Sequence, residues 1–123
     1  MVEFALVTPL FILLLVGVFE GARLAYAYST VNHAAQEAGR LAILNDTAST
    51  DDVKLKAVAA ADPLTVNAEF VTVDVNDGGT DFGDRVLGDR LKVTVGYTFV
   101  PVVGMVFGNS GLQLTGETEL MVE

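Results

Sequence analysis

No cysteine occurs in the 123-residue chain, which excludes disulfide frameworks, thiolate nucleophiles and cysteine-based zinc sites. Tryptophan is also missing, and a single histidine, His33, leaves no room for a multi-histidine metal centre. Bases are scarce, with 7 Lys and Arg against 16 acids and a net charge of −9. So acidic a chain lacks the basic footprint that grips nucleic acid through its phosphates. No candidate nucleophile has a base near it, and no glycine-rich phosphate loop follows a strand. The acid pair Asp51-Asp52 stands at a helix start, where capping accounts for it. The sequence therefore reads as a protein with no enzymatic chemistry, cofactor or metal.

What the chain has in quantity is apolar residues, 51% of the total, which separates it from disordered chains of similar charge. Their distribution is uneven. From Phe4 to Phe19 sixteen residues run without a charge, bracketed by Glu3 and Glu20. As a helix this run covers roughly 24 Å, and a short extension through Gly21 and Ala22 would carry it across a bilayer. A secretory signal peptide would need a basic flank, and Glu3 stands there instead.

Residues 21–44 contain no proline and are rich in Ala, Leu and Arg, so the helix continues. Leu24, Tyr28, Val31, Ala35, Ala38 and Ala42 fall at spacings of three and four and form one apolar stripe. Asn45-Asp46-Thr47, also a glycosylation sequon, ends the helix with turn chemistry. The expectation is one helix of about 40 residues, on the order of 60 Å long, loosened or kinked at Pro9. No globule of this size can bury both ends of it.

The remainder reads as a small α+β head. Ser49 and Asp52 form a capping box for a short helix through Ala61, stopped by Asp62-Pro63. Three strands follow: Ala68 to Val75, Leu91 to Phe99 and Leu112 to Val122. Leu91, Val93, Val95, Tyr97 and Phe99 alternate with polar residues, as do Leu112, Leu114, Leu120 and Val122. One apolar and one wet face predict an antiparallel sheet packed on a helix. Residues 76–89 read as a loop, and its Asn76, Asp77, Asp81 and Asp84 with the nearby Asp74 lack the register and terminal Glu of a calcium loop. The expected division is a nearly neutral stem, residues 1–44, and an acidic head, residues 45–123.

The residues of the stem resemble a family. Val2-Glu3-Phe4-Ala5-Leu6, Pro9 within the apolar run, Glu20-Gly21-Ala22-Arg23, and Ala34 through Arg40 are similar to the opening of TadE-like pilins, in the tight-adherence (Tad) branch of type IV pili. Residues 93–104 and the closing LQLTGETELMVE look like the family's last two strands. The resemblance implies a structural subunit that a prepilin peptidase trims and an inner-membrane platform assembles into an extracellular filament for attachment and motility. It implies self-association through Glu3, Phe4, Leu6, Pro9, Leu13, Gly17, Glu20, Arg23, Ala35 and Gly39. Glu3 would neutralise the terminal amine of a neighbouring subunit.

In type IV pilins that acid is usually fifth in the mature chain, whereas here it is third. That departure, with the missing basic flank, leads to the expectation that a leader precedes Met1 and is removed. Ala22, Ala25, Ala27, Ala34, Ala35, Ala38 and Gly39 are small enough for close stem packing. Glu20 with Arg23 fits an intrahelical pair or a bridge between subunits, and Glu37 with Arg40 fits an intrahelical pair. Tyr26 and Tyr28 suit stem packing or a membrane interface. Two other readings stay open: a minor pilin that primes or tips the filament, and a monomeric membrane-anchored binding domain.

Overall fold

The computed structural model describes residues 1–108 and 111–122. Glu123, the last residue of the quoted C-terminal run, lies outside the described residues. Helix α1 spans Val2–Leu44 without interruption, including Pro9. Its 43 residues make a rod of about 65 Å. Helix α2 spans Thr50–Ala60. Both halves of its capping box form: the Ser49 hydroxyl accepts from the Asp52 N–H at 3.2 Å, and Asp52 Oδ2 accepts from the Ser49 N–H at 2.9 Å. The helix closes at Ala61, ahead of Asp62-Pro63.

Strands β1 (Val71–Val75), β2 (Arg90–Phe99) and β3 (Leu112–Met121) form an antiparallel sheet in the order β1-β2-β3. Val71 pairs with Val95, and Phe99 with Leu112 at the far end of the longer ladder. The α+β architecture thus matches the sequence expectation. The first strand is shorter than expected, because Ala68–Phe70 winds into a 3-10 turn after Asn67, whose side chain accepts from the Glu69 N–H. Helix α3 (Val102–Phe107) stands between β2 and β3 and overlaps the end of the segment 93–104 compared with the family's strands. Pro101 opens it and Gly108, at φ 73, closes it in the left-handed conformation that glycine adopts without strain.

Only one half of α1 takes part in the core. Ala27, Val31, Ala34, Ala35, Ala38, Gly39 and Ala42 are its buried residues. They meet Val53 and Ala57 of α2, Val71 and Val75 of β1, and Leu91, Val93 and Val95 of β2. Each fully buried Val or Leu in this cluster contributes about 1.5–3 kcal/mol, and no polar or charged residue is buried among those described. The stripe is offset from the expected one. Tyr28 is exposed and Ala27 takes the inward place, packed with Phe99 and Leu114. The core therefore crosses the division at residue 44: the second half of the stem is the central element of the head.

The closeness of that approach is set at two glycines. A Cβ on Gly116 of β3 would stand 2.6 Å from the Val31 carbonyl carbon and 2.7 Å from the Asn32 nitrogen. On Gly39 of α1 it would stand 2.8 Å from Leu120 Cδ1 and 2.9 Å from Thr118 Cγ2. Leu114 packs beside Ala27, Gly116 beside Val31 and Leu120 beside Gly39, so β3 runs in the same direction as α1. β2 runs oppositely and ends, at Phe99, beside Ala27 and Leu24.

The loop of residues 76–89 is more ordered than its composition suggests. Phe82 is buried in the core, and the Arg85 guanidinium lies 4.1 Å from its ring centre. Arg85 also donates to the carbonyls of Phe82, Asn45 and Asp46, tying the loop to the end of α1. Asn76 donates to Asp89 at 2.9 Å and accepts from the Arg90 N–H at 3.0 Å, which anchors the loop to the start of β2.

Candidate functional site

The feature that needs a function is the first half of α1. Phe4, Leu6, Leu10, Phe11, Leu13, Leu14, Val18 and Phe19 are all largely exposed, and none of the helix's most apolar window is buried. Monomeric soluble proteins rarely expose more than a few hundred Å² of contiguous apolar surface, so a patch of this kind marks a membrane or protein contact. The helix is long and apolar enough to cross a bilayer. Its backbone satisfies its own hydrogen bonds, a requirement for any segment in lipid. Pro9 is the exception, with no N–H for the Ala5 carbonyl, while the preceding Thr8 hydroxyl donates to a different acceptor, the Phe4 carbonyl, at 2.7 Å.

The expected contact residues separate into three groups. Glu3, Phe4, Leu6, Pro9, Leu13 and Gly17 lie exposed on the free rod, and nothing stands within 4 Å of a Cβ at Gly17. Ala35 and Gly39 do not: both are buried by the chain's own sheet and by α2, so the expectation that they pack against neighbouring stems is corrected. The same holds for Ala27, Ala34 and Ala38, whose smallness serves the approach of sheet to helix. Glu20 and Arg23 form the third group, at the point where the free rod meets the head.

There Arg23 Nη1 donates to Glu20 Oε1 at 3.0 Å. The Glu20 side chain is only 12% exposed, and its Oε2 is buried with no partner among the described residues. The Arg23 guanidinium lies 5.3 Å from the Phe99 ring centre, so one cation serves a carboxylate on its own helix and an aromatic face on β2. Glu37 and Arg40 make a longer, exposed pair at 3.8 Å, worth a few tenths of a kcal/mol.

The match to known proteins falls on this same rod. Residues 1–40 match the TadE-like protein family. The similarity covers the free half of α1 together with most of the half that is built into the head, on a helix long and apolar enough to cross a bilayer. No curated protein and no solved structure matches the chain.

Elsewhere the chain carries features of local structural use. His33 is exposed on α1, and Tyr26 and Tyr28 are about half exposed. Asn45 Oδ1 accepts from the Thr47 N–H and hydroxyl, closing the turn after α1. Asp81 caps the turn at Phe82, and Asn76 and Asp77 hold φ of 51° and 55°. Two carboxylates are held below their ordinary range. Asp52 is lowered first by the Ser49 N–H and then by its hydroxyl, and Asp89 by the Val86 N–H and then the Asn76 amide. Lys92 is raised above its ordinary value by its bond to Glu117 across the β2–β3 ladder. The contacts that sequence reasoning missed, Phe99 under Arg23 and Gly116 against Val31, join residues far apart in the chain. The one local signal for them was a glycine inside an otherwise regular strand.

Proposed function

We propose that this chain is a structural pilin subunit that polymerises through α1 into an extracellular Tad-type filament used for surface attachment. The observation that carries the reading is the TadE-like match on a helix whose first half is apolar and uncovered while its second half is locked into a folded head. A free apolar rod on a rigid head has two hosts of similar polarity, a bilayer before assembly and a bundle of other rods after it. Passage between them is nearly neutral in hydrophobic terms, so side-chain packing and polar contacts decide the balance. Identical rods meeting at a head-to-tail offset make a heterologous contact that does not close, which generates a helical fibre.

In this reading Glu3, Phe4, Leu6, Pro9, Leu13 and Gly17 line the subunit contact, with the exposed part of Arg23 at its edge. A prepilin peptidase and an inner-membrane assembly platform are the partners. The test is to shear filaments from the cell surface, purify them and identify their main protein. Filaments built chiefly of this chain support the proposal. A trace amount would make it a priming or tip subunit, and retention in the membrane fraction would make it an anchored domain; either result overturns the proposal.

A further inference from the structure

We propose that the turn of the β2–α3–β3 hairpin is a second membrane contact, resting in the headgroup layer of the phospholipid bilayer that α1 crosses. The inference rests on the reading of α1 as membrane-spanning and goes beyond it, since a head on a spanning helix need not touch lipid at all.

Position along α1 comes first. Arg23 is the first basic residue after the apolar run, and it marks the level at which the rod leaves the hydrocarbon. Phe99, the last residue of β2, lies under Arg23, and β2 runs toward the N-terminus of α1. The chain continues past Phe99 through α3 and returns at Leu112, which pairs with Phe99. The described residues of the hairpin turn thus lie at the end of the head that faces the bilayer. Val16 and Glu20, on the face of α1 that continues through Arg23, Leu24 and Ala27, are partly shaded, whereas Leu15, Val18 and Phe19 are open. The shadow of the head therefore reaches into the apolar run itself.

Chemistry agrees with position. Between Lys92 and Glu117 the sequence has no charged residue, although the head carries most of the chain's acids. Val100, Val102, Met105 and Leu112 are exposed at this uncharged turn, and Val102 and Met105 share one face of α3. A short, uncharged apolar face is suited to the boundary between headgroups and acyl chains. Asp74, Asp77, Asp81 and Asp84 sit at the opposite end of the sheet, and Asp62 and Glu69, which lie nearer this end, belong to other segments than the turn.

Because the chain has no cysteine, single substitutions provide unique labelling sites. Full-length Met105→Cys, Val102→Cys, Leu13→Cys and Leu87→Cys would each carry an environment-sensitive fluorophore in phosphatidylcholine nanodiscs holding one chain. The lipids would carry a nitroxide quencher either near the headgroup or near the bilayer centre. The labels at 105 and 102 should each lose about half their fluorescence to the shallow quencher. Leu87, equally apolar and exposed at the opposite end of the head, should be unaffected. The label at 13 should respond to the deep quencher. Quenching at 13 without quenching at 102 and 105 overturns this contact while leaving the spanning helix intact, and so does shielding of 102 and 105 from both lipid quencher and aqueous iodide, which would identify a protein occupant. Absence of quenching at 13 overturns the spanning helix and this contact with it.

Discussion

The Arg23 guanidinium lies 5.3 Å from the centre of the Phe99 ring while donating to Glu20 at 3.0 Å. This clamp joins the free rod to the end of β2 and fixes the level along α1 at which the head begins. Removing the cation leaves Glu20 nearly covered and unpaired, which is costly for a carboxylate. Arg23→Ala should lower the stability of the detergent-solubilised chain by about 1–3 kcal/mol. Adding Glu20→Gln should recover part of the loss, measured as the midpoint of chemical denaturation. A full-size loss in the double variant would show that the ring contact alone carries the clamp.

The two glycines at the helix–sheet contact should respond unequally to alanine. At Gly39 the new methyl meets the ends of Leu120 and Thr118, which can shift, and the helix gains up to about 1 kcal/mol of propensity. At Gly116 it meets the Val31 and Asn32 backbone, which has no room to move. Gly116→Ala should therefore cost about 1–3 kcal/mol or more, and Gly39→Ala clearly less. Equal denaturation midpoints would contradict the geometry. A bulky Ala35→Trp substitution belongs in the same class: it should unfold the head rather than block stem packing, detected as loss of near-ultraviolet dichroism before any assay of filaments.

Stability should also depend on pH through Asp52 and Asp89. Both carboxyls are held below the ordinary value of 3.8 by hydrogen bonds that exist only in the folded chain. A depressed folded value means that the contribution is fully present above 3.8 and is lost as pH falls through the lower folded value. Asp52→Asn and Asp89→Asn should each flatten the acid side of the thermal-midpoint profile relative to the unmodified chain. Parallel profiles down to strongly acid pH would show that these bonds do not distinguish folded from unfolded states.

Glu3 provides the test of subunit pairing. It is exposed on the isolated chain, so Glu3→Ala should insert in membranes normally. If Glu3 meets a cation in the filament interior, the variant leaves that charge unpaired, and surface filaments should fall by about tenfold or more. Filament counts by electron microscopy, with membrane-fraction blots as the control, decide it. Undiminished piliation would place the carboxylate at a solvated position.

The long helix, the capped α2 and the alternating strands were legible because each depends on neighbours within a few residues. Phe4 through Phe19 could be read as surface in need of a host, since a run of sixteen uncharged residues extends too far from the head to be buried by it. Ala35 and Gly39 were legible as small but not as occupied, because the pattern that permits another stem to approach also permits a sheet. Helix α3 passed unread because six residues provide too few turns to show a period, although Pro101 and Gly108 mark its ends.

The sequence by itself determined that this chain has an uncovered apolar rod and an acidic, half-buried sheet, because charge and periodicity are local properties. Which side of the rod the sheet covers, and how far down the rod it reaches, were decided only in three dimensions. Those depend on Gly116 admitting the backbone of Val31 and on Phe99 meeting Arg23, contacts between segments whose separation in sequence leaves no periodic trace.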